Sequence, residues 1–304
     1  KLMEIVNICL YSLTLCFSIA VVIMSISIIF LMIIRWQFMR QDRVELLLMA
    51  NTFMAGGEAV FFIGILSIFS IYGHVNEVFL FEGWFCLIIP FLLYIGGFTY
   101  FNSFALQAIY RYFRIAYRTN TKLQSFRFYQ VCTVIIWLTS LGAMLTLLLC
   151  HQLEYIPYDY HCQVAPMNLQ ASLLLYSSGF IIPFSVTLFA YICAMRYIRK
   201  QASTLVTVNQ NINNKRDIMV IKRLVIYLII IGMNSSPHIV LPLIYLFSGF
   251  LPVWMIAAKW LLTSSCLLTI LLFLLYTHPI LKKLRSRSTS IRPNTIAAVT
   301  IQTT

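Results

Sequence analysis

Charged residues, and acids above all, are scarce in this chain. The 304 residues include nine Asp and Glu against 22 Lys and Arg, and charged residues make up 10% of the sequence, whereas 61% of it is hydrophobic. Soluble domains are typically about 25% charged and about 45–50% apolar. So little charge excludes an ordinary soluble domain and indicates a membrane protein.

The sequence also lacks the common motifs of metal binding, catalysis and membrane transport. The eight cysteines show no paired C-x-x-C spacing of the kind that binds zinc. No metal-ligand cluster, nucleophile elbow or acid pair stands near the ends of the apolar runs. The sequence contains no internal repeat of the kind that marks transporters built from two halves. We therefore expect neither an enzyme nor a metal or cofactor site.

Long apolar runs, in contrast, are abundant. A membrane-spanning helix needs about 20 apolar residues, and seven runs of at least that length are separated by short loops. A closed barrel is excluded because its strands would alternate in polarity. The sequence predicts an all-α membrane protein, with one seven-helix domain in residues 1–281 and a tail in 282–304. The predicted spans are 5–34, 44–72, 85–116, 126–150, 169–197, 218–247 and 252–277.

The basic residues are distributed unevenly between the two sides. Twenty of the 22 Lys and Arg lie in the first, third and fifth connections or after the last span, whereas the other loops contain acids. By the positive-inside rule, the basic side is cytoplasmic and the N-terminus is outside. The excess positive charge faces anionic lipid headgroups, so it does not indicate binding of nucleic acid.

Two cysteines differ from the other six, which lie inside apolar runs. Cys86 opens the third span on the outer side, and Cys162 lies in the outer loop between spans four and five. Both face an oxidising compartment, where a disulfide can persist. We expect a Cys86–Cys162 bridge that holds this loop over the mouth of the bundle; the alternative is two free thiols.

The stretch AIYRYFRIAYR, residues 108–118, ends the third span, and its Arg111 follows Cys86 by 25 residues. Trp137 in span four follows Arg111 by 26 residues. Spans five and six add Pro183, Tyr191 and Pro237. This joint spacing resembles the rhodopsin-like, or class A, G protein-coupled receptors. The resemblance implies a seven-helix receptor that binds an extracellular ligand and signals to a heterotrimeric G protein, usually at the plasma membrane.

Some positions depart from the family pattern and mark a divergent member. Tyr110 stands where the family has an acid before the motif arginine, Ser235 where a tryptophan usually precedes Pro237, and Lys282 where the last span usually has a tyrosine. The resemblance implies coupling to a G protein; the alternative is an atypical or weakly coupling receptor.

Arg111 and Asp217 form the switch that the resemblance implies. Asp217 lies twenty residues before Pro237 and is the only acid in or near the connection between spans five and six. A bidentate pair between them would hold the inner ends of spans three and six together, and its loss would let span six swing outward. The alternative is that Arg111 only reaches the membrane interface, as we expect of Arg114 and Arg118.

Glu58 is the only acid in the interior of a span, and a charge in the membrane core costs at least ~2.5 kcal/mol. Its surroundings, FMAGGEAV, resemble the family's sodium-binding motif, and His278 occupies a position near that acid in the family. We therefore expect a proton-sensitive contact of Glu58 with His278 in the bundle centre. Tyr100 replaces a small hydroxyl of that site. The alternative is a neutral Glu58 bonded to backbone.

A ligand pocket is expected between spans three, five, six and seven, because family position places five residues there. Leu93 stands where amine receptors carry an acid, which disfavours that class. The mainly apolar lining suits a neutral small molecule or a peptide. The expected lining residues are Leu93, Tyr94, Gly97, His238 and Leu268.

The tail in residues 282–304 is rich in hydroxyl side chains. Eight Ser and Thr follow Arg285, as would suit phosphorylation that recruits an arrestin-like protein; the alternative is an unmodified polar tail.

Two other functions are weighed against the receptor. A transporter would need several charges inside the membrane. A chemosensory receptor of the bitter-taste kind is a nearer alternative, which THPILKKL faintly resembles, although Cys86, Cys162 and Pro237 favour the rhodopsin-like pattern.

Overall fold

The computed structural model describes residues 2–35, 43–76, 83–117, 120, 122–165, 167–204 and 208–277, with the backbone alone for 35, 201–204, 208–224, 227, 234, 276 and 277. Seven helical stretches within these ranges are long and apolar enough to cross a membrane, which confirms the predicted spans. The helices are α1 Leu2–Arg35, α2 Arg43–Asn76, α3 Trp84–Ala116, α4 Phe126–Leu149, α5 Leu169–Tyr176, α6 Ile182–Thr204, α7 Val208–Ser248 and α8 Val253–Thr277.

The fifth span is made of three pieces. Helices α5 and α6 are joined by the π-helical turn Ser177–Ile181, which widens the helix just before Pro183. Spans one to four are α1 to α4, span six is α7 and span seven is α8. Helix α3 lies at the centre of the bundle, where it packs against α2, α4 and α6, while α1 packs against α2 and α8.

Local chemistry sets several of the helix ends. The Ser125 hydroxyl accepts a hydrogen bond from the Phe128 amide at the start of α4, and the Asn168 side chain accepts one from the Ala171 amide at the start of α5. Such caps satisfy amides that have no partner within the helix. Helix α7 ends at Ser248 and is followed by Gly249, whose φ of 67° is left-handed and suits a residue without Cβ.

A short β-hairpin lies between α4 and α5, where the sequence predicted only a loop. Strands β1 Leu153–Ile156 and β2 His161–Val164 pair antiparallel, with Tyr155 opposite Cys162 and Ile156 opposite His161. All four residues of β2 are buried. Since side chains alternate along a strand, Cys162 and Val164 point to one side of β2, and His161 and Gln163 to the other.

A chain of buried hydrogen bonds ties together α2, α3 and α4. Trp137 Nε1 donates to Asn51 Oδ1 over 2.8 Å, Asn51 Nδ2 donates to Ser103 Oγ over 2.6 Å, and the Ser103 hydroxyl donates to the Thr99 carbonyl. Each polar group is thus paired away from water, as burial requires. The tryptophan that the sequence singled out in span four therefore holds three spans in register.

Helices α2 and α3 approach closely at Gly96. A Cβ atom added there would lie 2.9 Å from the Ala59 nitrogen and 3.0 Å from the Ala55 oxygen. These neighbours are backbone atoms and cannot move aside like a side chain. Small residues allow such contacts between membrane helices.

We expect Gly96→Ala to destabilise the protein by about 1–3 kcal/mol, the usual effect of overpacking. The matched control is Gly142→Ala on α4, where an added Cβ would have no neighbour within 4 Å. Thermal denaturation of the purified protein in detergent measures both changes. A Gly96→Ala protein as stable as the Gly142→Ala protein would contradict the close approach.

Candidate functional site

A largely apolar cavity of about 100 Å³ lies between the third, fifth, sixth and seventh spans. Aromatic and aliphatic side chains form most of its wall, and the π-helical turn brings Gly179 and Phe180 to its edge. The lining residues are Ala59, Ile63, Leu93, Tyr94, Gly97, Phe98, Tyr100, Phe101, Leu175, Tyr176, Gly179, Phe180, Ser235, His238, Trp260, Thr263 and Leu267.

The structure brings together four of the five residues expected in the pocket. Leu93, Tyr94, Gly97 and His238 line the cavity. Leu268 is not among the lining residues and packs against the core, while the preceding Leu267 takes its place. A shift of one residue turns a helical side chain by about 100°, which is enough to move it out of the cavity.

Trp260 and Thr263 of α8 also line the cavity, and the sequence analysis missed them. The His238 Nε2 atom lies 2.9 Å from the Thr263 hydroxyl. The His238 and Trp260 rings meet edge to face, with centroids 5.6 Å apart. The available signal was the helical spacing of Trp260, Thr263 and Leu267 along one face of the last span.

A buried polar network joins the hairpin to the first two helices. The Tyr11 hydroxyl of α1 donates a 2.6 Å hydrogen bond to the Asp159 carboxylate, and the Ser70 hydroxyl of α2 donates to the Asp159 carbonyl over 2.8 Å. His161 Nδ1 lies 2.9 Å from Ser70 Oγ. Burial lowers the pKa of His161, although the nearby Asp159 carboxylate opposes this shift, so the ring is uncharged near pH 7.

Lys259 ties the same face of the hairpin to the last span. Its ammonium donates a 2.8 Å hydrogen bond to Gln163 Oε1 and lies 4.2 Å from the centroid of the Trp260 ring. Lys259 is 3% exposed, so this is a charge buried within a span. The sequence analysis did not single it out, although an isolated lysine inside the apolar run AAKWLL was visible.

The other face of the hairpin is attached covalently. Cys162 forms the predicted disulfide with Cys86 in the first turn of α3, which confirms the pairing. Val164 on the same side of β2 packs against Tyr94 and Ile95 of α3. The hairpin is therefore held on both faces, to α3 by a disulfide and to α1, α2 and α8 by polar contacts.

A family model described as "7 transmembrane receptor (rhodopsin family)" matches residues 39–281. The chain belongs to this receptor family. Its fold is similar to the crystal structure of squid rhodopsin, with a TM-score of 0.74 and 14% sequence identity over 93% of this chain and 86% of that chain. No curated protein matches the sequence significantly. The receptor is thus a multi-pass membrane protein, and the family usually acts at the plasma membrane through heterotrimeric G proteins.

The end of the receptor opposite the hairpin contains Arg111, which is half-buried on α3. The Asp217 side chain lies outside the described part of the receptor, so its contact with Arg111 remains a prediction. Tyr110, which replaces the usual acid, is buried edge to face against Tyr129 of α4, with ring centroids 5.0 Å apart. This position has become part of the apolar packing between α3 and α4.

The sequence analysis expected Arg114 only to reach the membrane interface, but in the structure it also makes a contact between helices. Its guanidinium forms a 2.6 Å ion pair with Glu45 in the first turn of α2. This pair joins α2 to α3 one helical turn beyond Arg111. This end of the bundle is therefore held by an ion pair between two neighbouring helices.

The prediction that Glu58 lies in the bundle centre is wrong. Glu58 is only partly buried. It lies on the face of α2 that points away from the bundle, together with Met54 and Phe61, which are each 50% exposed. The inward position belongs to Gly56, where the Tyr100 ring of α3 would come within 3.0 Å of an added Cβ. His278, the expected partner of Glu58, lies outside the described residues.

Proposed function

We propose that the chain is a G protein-coupled receptor that takes an extracellular ligand into the cavity and has no enzymatic activity. The observation that carries this proposal is the largely apolar cavity between spans three, five, six and seven, beside a hairpin held by a disulfide. Concave apolar sites with a few polar groups are the usual form of small-molecule sites. The basic residues at the other end suit contact with a cytoplasmic partner.

The hairpin end is the outer end in this proposal, with the N-terminus outside. The disulfide favours this orientation because disulfides persist in oxidising compartments. The positive-inside distribution of Lys and Arg favours it independently. Both a neutral small molecule and a peptide are compatible with a mainly apolar cavity.

Binding is coupled to signalling, in this proposal, through α7. His238 and Ser235 of α7 line the cavity, and Pro237 lies between them. A proline inside a helix removes a backbone hydrogen bond and allows a bend. Movement of the ligand-facing half of α7 can therefore be passed to the half that contains Asp217, while the buried Tyr191 of α6 packs in the adjoining core.

We expect Asp217→Ala to raise ligand-independent signalling about fivefold or more, because a coupling of about 1 kcal/mol between Asp217 and Arg111 shifts the resting equilibrium by that factor. The loss of this pair would free span six to move away from span three and open a cavity for the G protein. Nucleotide exchange on a purified heterotrimeric G protein, with the receptor in lipid nanodiscs, measures the effect.

The matched control is Asn214→Ala, three residues earlier in the same connection, which changes no charge. Its basal activity should equal that of the unmodified receptor. Unchanged basal activity in a correctly inserted Asp217→Ala receptor contradicts the clamp. Failure of every variant to bind G protein contradicts coupling itself.

The tail in residues 282–304 has a separate proposed role. Phosphorylation of its Ser and Thr residues adds negative charge and recruits an arrestin-like protein that ends signalling. Ser286 and Ser288 lie among the basic residues at its start. The tail lies outside the described residues, so the support for this role comes from sequence alone.

A further inference from the structure

Glu58 lies near the middle of the 34-residue helix α2, which places its carboxyl group close to the centre of the membrane. The residue is only partly buried and stands between Met54 and Phe61 on the face that points away from the bundle. Acids within membrane spans almost always face the bundle interior or a water-filled cavity, where partners satisfy them. Glu58 departs from this pattern because it is turned towards the lipid.

The receptor itself provides no partner for this acid within its described residues. No hydrogen bond or ion pair in that part of the chain engages Glu58. The polar side chains of Asn51 and Thr52, on the same helix, face inward and are bonded to α3 and α4. Lipid tails cannot hydrogen-bond, so the carboxyl group is unsatisfied whether it is ionised or protonated.

The surface around Glu58 has the form of a helix-packing face. Met54, Glu58, Phe61 and Ile68 are separated by four, three and seven residues, which aligns them along one side of a helix. Met54, Phe61 and Ile68 are each about half exposed, because α1, α3 and α4 cover the other sides of α2. We call these four residues the outer stripe of α2. A second helix can lie along such a stripe, with its side chains set between those of α2.

We propose that the outer stripe of α2 binds the membrane-spanning helix of a partner protein, which carries a lysine or arginine near the middle of its span. The basic side chain pairs with the Glu58 carboxylate, while apolar residues of the partner pack on Met54, Phe61 and Ile68. Either charge alone is costly in lipid. Together they satisfy each other, since opposite charges attract strongly where the dielectric constant is low.

Other occupants fit the outer stripe less well. A second copy of the receptor offers no base at this depth, because no Lys or Arg among the described residues lies in the middle third of a span. Two outer stripes in contact would instead bring two acids together. Lipid headgroups lie about 15 Å from the centre of the bilayer, so they do not reach Glu58.

Synthetic single-span peptides test the proposal. The peptides are leucine-rich helices of one membrane span that are identical except for a central lysine, leucine or glutamate. Energy transfer between the labelled receptor and the labelled peptides in phosphatidylcholine vesicles measures their association. We expect the lysine peptide to bind about tenfold or more tightly than the leucine peptide, because the leucine peptide packs on the same stripe but leaves Glu58 unpaired. The glutamate peptide should bind no more tightly than the leucine peptide.

Glu58→Gln keeps the shape of the side chain and removes its charge, so the preference for the lysine peptide should fall several-fold. The Tm of this variant should stay within about 2 °C of the unmodified receptor, because no contact within the described residues is lost. An unchanged Tm shows that the variant is folded. The matched control is Met54→Leu, one helical turn away on the outer stripe, which should leave the preference unchanged.

The proposal is overturned if the leucine or glutamate peptide binds as tightly as the lysine peptide, or if Glu58→Gln retains the full preference. Energy transfer between receptor copies that disappears in Glu58→Gln, without any preference among the peptides, would identify a second copy as the occupant and also overturns it. The measurement contains neither a G protein nor a cavity ligand, so its outcome is independent of the proposed receptor function.

Discussion

Replacement of Asp159 by alanine is expected to lower the free energy of unfolding by about 3–5 kcal/mol, the usual effect of removing one partner from a buried charged contact. Asp159 is fully buried, and its carboxylate accepts the hydrogen bond of the equally buried Tyr11. The substitution leaves that hydroxyl unpaired and removes the negative charge that interacts with the buried ammonium of Lys259. Thermal denaturation of the receptor in detergent should show a Tm at least ~6 °C lower.

Glu154→Ala is the matched control for this prediction, because it removes an exposed acid from the same hairpin. Its effect should remain within about 0.5 kcal/mol. The Tyr11→Phe variant and the double variant complete a thermodynamic cycle. We expect the two substitutions to be non-additive, because both remove the same hydrogen bond. Additive effects, or an Asp159→Ala receptor as stable as Glu154→Ala, contradict the network.

Replacement of both Cys86 and Cys162 by alanine is expected to destabilise the receptor by about 4 kcal/mol. The bridge closes a loop with a sequence separation of 76 residues, and the loop-closure entropy for that length has about this value. The same substitution frees the hairpin face that packs on α3. Thermal denaturation of the double variant, compared with the unmodified receptor, should give a Tm lower by roughly 8 °C or more.

Cys150→Ala serves as the control for the disulfide, since this exposed free thiol lies at the end of α4 close to the hairpin. We expect it to leave the Tm unchanged. The comparison separates loss of the bridge from loss of a cysteine. Equal stability of the double variant and Cys150→Ala would show that the polar network alone holds the hairpin.

The seven spans could be predicted because their cause is local. A chain in lipid must satisfy its own backbone hydrogen bonds, so each long apolar run has to be a helix. The disulfide was also predictable, since Cys86 and Cys162 were the two cysteines outside the apolar interior of the runs. The π-helical turn Ser177–Ile181 was not predicted, because contacts between Gly179 and Phe98 of α3 help to decide its shape.

The hairpin network could not be predicted for a different reason. Lys259 and Gln163 are 96 residues apart, and Tyr11 and Asp159 are 148 apart. Nothing in the composition of either segment indicates which partner it will meet. Only the packing of the helices brings these residues to one end of the bundle and buries them there.

The sequence by itself determined the number of membrane spans, their approximate ends, the cysteine pair and the family spacing, because these depend on local hydrophobicity and on distances along the chain. The tertiary structure decided which side of each helix faces inward. Helix α2 is apolar almost all round, so its sequence alone could not place Glu58 outside and Gly56 inside. That rotation is set by contact with neighbouring helices, where the Tyr100 ring packs closely on Gly56 and would have to shift if a Cβ atom were added there.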